Sequence, residues 1–87
     1  MAAVTITLAN GEKVRTATRR RFILVRTWTG EDSFTEVFQR SDRVATLQTA
    51  RRRAGASTAR WFIADTVTKR SVEIGPGGRL LDWKEAP

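Results

Sequence analysis

The sequence predicts an α+β domain: an antiparallel sheet of hairpins in the order ββββαββ, with one helix packed on one face. Three observations carry this. Six short stretches rich in β-branched and aromatic residues fall into hairpin pairs spanning 4–18, 22–40 and 60–74. A single stretch, about 42–54, has apolar residues at helical spacing. The 87 residues leave room for one domain only, residues 1–87 with an ordered core of about 4–83. A small barrel of the oligonucleotide-binding kind is the alternative, since it too has about five strands and one helix.

Residues 4–9 alternate strictly, with Val4, Ile6 and Leu8 on one face and Thr5 and Thr7 on the other. Asn10-Gly11 suits a type I′ turn, in which both central residues need positive φ. Residues 12–18 read as the returning strand. Phe22-Ile23-Leu24-Val25 is apolar on both faces, which predicts a central strand with cover on each side or a face used in an interface. A second copy could supply that cover, so a homodimer is one expectation.

Residues 33–40 read two ways. As a strand, Phe34, Glu36 and Phe38 share a face; as a helix, Ser33 and Glu36 form a capping box. The four-residue loop before them and their Thr, Val and Phe favour the strand. Ser41 is the expected N-cap of the helix, and Asp42 suits its dipole. Val44, Leu47, Ala50 or Arg51, and Ala54 form its narrow stripe. Gly55 suits the left-handed position just past its end. Trp61, Ile63, Asp65 and Val67 share a face of the next strand, Thr68-Lys69-Arg70 turns, and residues 71–74 return. Gly75-Pro76-Gly77-Gly78 ends regular structure. Leu80, Leu81 and Trp83 are placed to pack back as a short edge strand or a turn.

Hydrophobic residues at 40% and charged residues at 29% fit a folded chain rather than a disordered one. The sequence has no Cys and no His. Disulfides, thiolate or imidazole metal sites and Ser-His-Asp hydrolysis are thereby excluded. No apolar run approaches the roughly 20 residues that cross a bilayer, and Met1-Ala2-Ala3 begins no signal peptide. The expectation is a cytoplasmic protein with no membrane partner, no cofactor and no metal.

The functional signal is charge. Lys+Arg is 16 against Asp+Glu 9, a net +7, and 13 of the cations are Arg. The excess sits in residues 19–28 and 42–60, each of which holds an Arg triplet. The guanidinium fork suits phosphate and carboxylate. Brought together, Arg19, Arg20, Arg21, Arg26, Arg51, Arg52, Arg53 and Arg60 would form one anion-binding stripe, with Trp28 or Trp61 as a platform for unstacked bases. Plainer readings compete. A triplet at a helix C-terminus is favourable with the dipole alone, by about 0.3–1 kcal/mol. Three consecutive helical residues also fan out over about 200°. Arg19-Arg20-Arg21 would serve as a charged guard on a strand entry. The tryptophans suit a thin core at least as well as a binding surface.

No catalytic site emerges. Gly75-Pro76-Gly77-Gly78 lacks the pattern of a phosphate loop. Asp65 and Glu73 lie in opposite arms of one hairpin, where they could approach each other. With no third ligand in view, a structural ion pair between Asp65 and an Arg is the better reading. The expected function is therefore a non-enzymatic basic module. It would bind DNA or RNA, or else an acidic protein.

The Arg-for-Lys usage, the stretch Arg-Phe-Ile-Leu-Val-Arg-Thr-Trp at 21–28 and the run Trp-Phe-Ile-Ala-Asp-Thr-Val-Thr at 61–68 add a resemblance. Over residues 19–74 the chain resembles small accessory proteins of phages that infect high-GC actinobacteria. The resemblance carries no catalytic motif and transfers no residue roles. It implies expression in the cytoplasm of a bacterial host, and binding that inhibits or redirects a host protein or engages nucleic acid.

Overall fold

The computed structural model describes residues 2–28, 31–55 and 58–80. The elements are β1 (Val4–Thr7), β2 (Lys13–Thr16), β3 (Phe22–Trp28), β4 (Phe34–Ser41), α1 (Val44–Arg53), β5 (Arg60–Asp65) and β6 (Ser71–Ile74). This is the predicted α+β order, and residues 34–41 are strand, not helix. Four strands form one antiparallel sheet in the order β4-β3-β5-β6. The sheet is open, so the barrel alternative does not apply. The helix lies on one face, and the β1-β2 hairpin forms a separate two-stranded sheet.

These layers explain the two-sided run at the start of β3. Ile23 and Val25 meet Ile6, Leu8, Val14 and Phe62 in the core under the hairpin. Leu24 meets Leu47, Trp61, Ile63 and Val72 in the core under α1. Both faces of β3 are covered from within the chain, so the run needs no second copy to bury it.

Three local expectations are corrected. Thr7 pairs with Lys13, which leaves Leu8 and Glu12 closing a three-residue loop. The Gly11 N–H donates to the Leu8 carbonyl at 2.9 Å, and Gly11 alone takes positive φ, 89°. An odd loop of this kind needs one left-handed residue, whereas a type I′ turn needs two. Ser41 does not cap the helix, because it still pairs with Phe22 in the sheet. Its Oγ accepts from the Arg43 N–H at 3.1 Å, and Arg43 stands at the N-cap without a side-chain cap. Val67 lies past the end of β5 and is exposed.

Gly55 does end the helix at φ 75°, its N–H donating to the Arg52 carbonyl. The glycine-rich turn docks on α1. The Gln48 amide donates to the Gly78 carbonyl at 2.9 Å, and Leu80 bridges Ile74. Leu81 and Trp83, expected to pack back as an edge strand or a turn, lie outside the described residues. Among the described residues no helix is long and apolar enough to cross a membrane.

Candidate nucleic-acid interface

The two Arg triplets stand at opposite ends of α1. Arg20 Nη1 donates to Asp42 Oδ2 at 2.8 Å, and the Arg21 N–H donates to Asp42 Oδ1 at 2.9 Å. Asp42 lies just before the helix, whereas Arg51, Arg52 and Arg53 form its last turn. At 1.5 Å per residue the two groups are about 15 Å apart along the axis. The single stripe expected from sequence is not formed.

Acidic neighbours hold much of the expected site. Arg20 is paired with Asp42, Arg21 with Asp65, Arg26 with Glu36 and Arg60 with Glu73. The Arg21–Asp65 pair is the structural ion pair that the sequence suggests. Burial pushes the Asp65 carboxyl up. The hydrogen bond from Arg21, the N–H groups of Val67 and Thr68, and the Arg21 charge together outweigh this and hold it below the usual range. Glu73 does not approach Asp65. It lies opposite Phe62 in the register and takes a two-pronged bond from Arg60, at 2.7 and 3.0 Å, which lowers its pKa. Arg60 pairs with Thr27 in the register and its guanidinium lies over Phe62, so it belongs to the hairpin face, away from α1.

The second triplet divides. Arg51 is 2% exposed. Its Nη1 donates to the Gly55 carbonyl at 3.0 Å and its guanidinium lies 4.8 Å from the centre of the Trp61 ring. Burial lowers its pKa. The side chains of Arg52 and Arg53 are exposed and have no hydrogen-bonding or ionic partner among the described residues, as is true of the Arg19 side chain at the far end. The fan-out of consecutive helical positions produces this division.

Trp28, Phe34, Phe38 and Trp61 form one cluster with Arg26 on the helix side of the sheet, whereas Phe62 lies in the core under the hairpin. Trp61, 1% exposed, is core and offers no face to a ligand. Its ring meets Phe38 edge-on at 5.0 Å. Arg26 lies over three rings, 4.7 Å from Phe38, 4.8 Å from Trp28 and 5.6 Å from Trp61, while its Nε donates to Glu36 at 2.7 Å. Trp28 is half-buried and stacks on Phe34 at 4.1 Å. Phe34 at 49% and Phe38 at 39% are the exposed rings of the cluster.

A β-bulge brings Gln39 to the same face as Phe38. Leu24 pairs with Gln39 and Val25 with Val37, so Phe38 is the extra residue on β4. Phe38 and Gln39 therefore both border an open groove of about 430 Å³, whose other wall is Thr46, Thr49, Ala50, Arg53 and Ala54 of the α1 region. Sequence reasoning missed Phe34, Phe38 and Gln39 as surface groups. The alternation of 34, 36 and 38 was readable. That β4 would be an edge strand, with its helix-side face only partly covered, was not.

No cluster of three or more acidic side chains able to hold a metal occurs among the described residues. Comparison with family models, with curated proteins and with solved structures gives no match.

Proposed function

We propose that the chain is a non-enzymatic module that binds nucleic acid through the C-terminal end of α1 and the aromatic surface beside it. One observation carries the reading. Arg53 is exposed, its side chain unpaired among the described residues, and it lines the same groove as the exposed ring of Phe38, which Arg26 joins to Trp28 and its stacked partner Phe34. Cations without acidic partners are available to phosphate, and rings open to solvent are available to bases. From Arg43 to Gly55 the chain has no acidic residue, so nothing on the helix opposes a polyanion. Arg19, Arg20, Arg21 and Arg60 are not part of this surface. No motif in the sequence indicates readout of base edges in a duplex groove, so the expected binding tolerates sequence.

Mobility shifts with mixed-sequence single-stranded and duplex probes at about 50 and about 200 mM salt test the reading. Retardation that weakens steeply with salt supports it. No retardation of either probe at the lower salt removes it.

A protein partner is a second reading, and the exposed edge strand β4 favours it. A free edge with Phe34 and Phe38 beside it suits an added strand or a docked surface. It also fits the resemblance to phage accessory proteins acting in a bacterial cytoplasm. A partner pulled from bacterial lysate and kept after nuclease treatment supports this reading; one lost after nuclease supports nucleic acid.

A further inference from the structure

The groove between β4 and α1 has more to say about which nucleic acid is bound. We infer that it is a subsite for one unstacked nucleobase of a single strand, with Phe38 as the stacking surface and Arg53 holding a neighbouring phosphate. The inference rests on the nucleic-acid reading above.

Four features point to it. The groove is roomy, about 430 Å³, and open. One wall carries the exposed ring of Phe38, backed by Trp61 and by the Arg26 guanidinium, with Gln39 brought beside it by the bulge. A ring held from behind is a rigid platform that needs little ordering when a base arrives. The other groups are mixed in kind. The side chains of Gln39 and Thr46 have no hydrogen-bond partner among the described residues, and that of Arg53 has neither a hydrogen-bonding nor an ionic one. Amide and hydroxyl groups suit the polar edge of a base, and an unpaired guanidinium suits the phosphate beside it. Among the described residues no acidic side chain lines the groove.

A base can use this site only when it has left its stack. In a duplex the bases lie about 3.4 Å apart along each strand and present edges, not faces. The groove therefore favours single strands over duplexes. The stacking term depends on the ring and little on which base it is.

Fluorescence anisotropy with three labelled probes of equal length tests this. They are a mixed single strand, its duplex, and an abasic strand that keeps the phosphates and lacks the bases. The expected result is binding of the intact strand at least about tenfold tighter than of the abasic strand. Phe38→Ala brings the intact strand down toward the abasic level, a loss between about fivefold and about a hundredfold, while Phe38→Trp retains the preference. Thr46→Trp, an exposed substitution that fills the groove without disturbing the core, lowers the intact strand's affinity in the same way and covers the case in which Phe38→Ala fails to fold. Equal affinity of the wild type for intact and abasic strands overturns the subsite and leaves the nucleic-acid reading standing. So does a base preference that both Phe38→Ala and Thr46→Trp preserve. No binding of any probe overturns both.

Discussion

Arg21 and Asp65, 44 positions apart in the chain, hold each other in a two-pronged ion pair. Arg21 Nη2 donates to Asp65 Oδ2 at 2.9 Å and Nε to Oδ1 at 3.2 Å. The same carboxylate accepts the N–H groups of Val67 and Thr68 at the tip of the β5–β6 hairpin. Nearby, Thr66 donates from both its N–H and its hydroxyl to the Arg21 carbonyl. The entry to β3 is thus pinned to the end of β5, and this end of the Arg-rich sequence is spent on structure.

Asp65→Ala should lower stability by about 2–3 kcal/mol, since it strips acceptors from two backbone N–H groups and leaves Arg21 unpaired. The half-exposed guanidinium can turn to water, which keeps the loss below that of a fully buried pair. Urea denaturation with an unchanged slope checks this. Asp65→Asn keeps an oxygen for the two N–H groups and should cost less.

Stability should fall in acid and stay flat near neutrality. The carboxyl groups of Asp42, Asp65 and Glu73 all have pKa values lowered in the folded state. The unfolded chain therefore binds more protons than the folded one as pH falls through about 4. The contribution is complete above the unfolded values and is lost progressively below them. With no His in the sequence, no side chain of ordinary pKa titrates between about pH 5 and 8. Urea midpoints at pH 7, 5 and 3 should read level, nearly level and lower, and Asp65→Asn should flatten the acid limb.

Gly78→Ala should cost about 2 kcal/mol or more, whereas Gly77→Ala should be close to neutral. Gly78 has φ 80°, and a Cβ there would sit 2.6 Å from the Gln48 carbonyl oxygen. Gly77 has open space around it and no positive φ. Thermal melts of the two variants side by side make the comparison, with Gly77→Ala as the control for changing a turn glycine at all.

Within the second triplet the three arginines should behave differently. Arg51→Met replaces a buried cation, which has no acidic partner among the described residues, with an apolar side chain of similar reach. Its effect on stability should stay within about 1 kcal/mol, and nucleic-acid affinity should change by no more than about twofold. The double change Arg52→Glu, Arg53→Glu should lower stability by about 1 kcal/mol, since carboxylates in the last turn oppose the helix dipole, and should weaken binding at low salt and reduce the salt slope by about 2. Binding isotherms at several salt concentrations separate these outcomes.

The hairpins, the helix and its glycine stop were legible because each rests on local pattern. Val4, Ile6 and Leu8 alternate, Leu47 and Ala50 recur at helical spacing, and Gly55 follows the last turn. The two-sided run at Phe22–Val25 announced a covered central strand, although the sequence did not say that β1-β2 would be the second cover. The site was legible only in its residue types. Whether Arg20 and Arg21 are free depends on Asp42 and Asp65, brought to them by folding from 22 and 44 positions away. Trp61 and Trp28 look equivalent in the chain, but β5 is interior and β3 ends at the open corner beside Phe34. The bulge that turns Gln39 into the groove has no local sequence mark.

Backbone amide chemical-shift mapping, titrating the isotope-labelled full chain with a single-stranded oligonucleotide at low salt, tests the interface most directly. The account predicts saturable shifts concentrated at Phe34, Phe38, Gln39, Thr49, Arg52 and Arg53, with Arg19, Arg20 and Arg21 unmoved. Shifts centred on Arg19, Arg20 and Arg21 or on the outer face of β1-β2, with the α1 C-terminus silent, would contradict it.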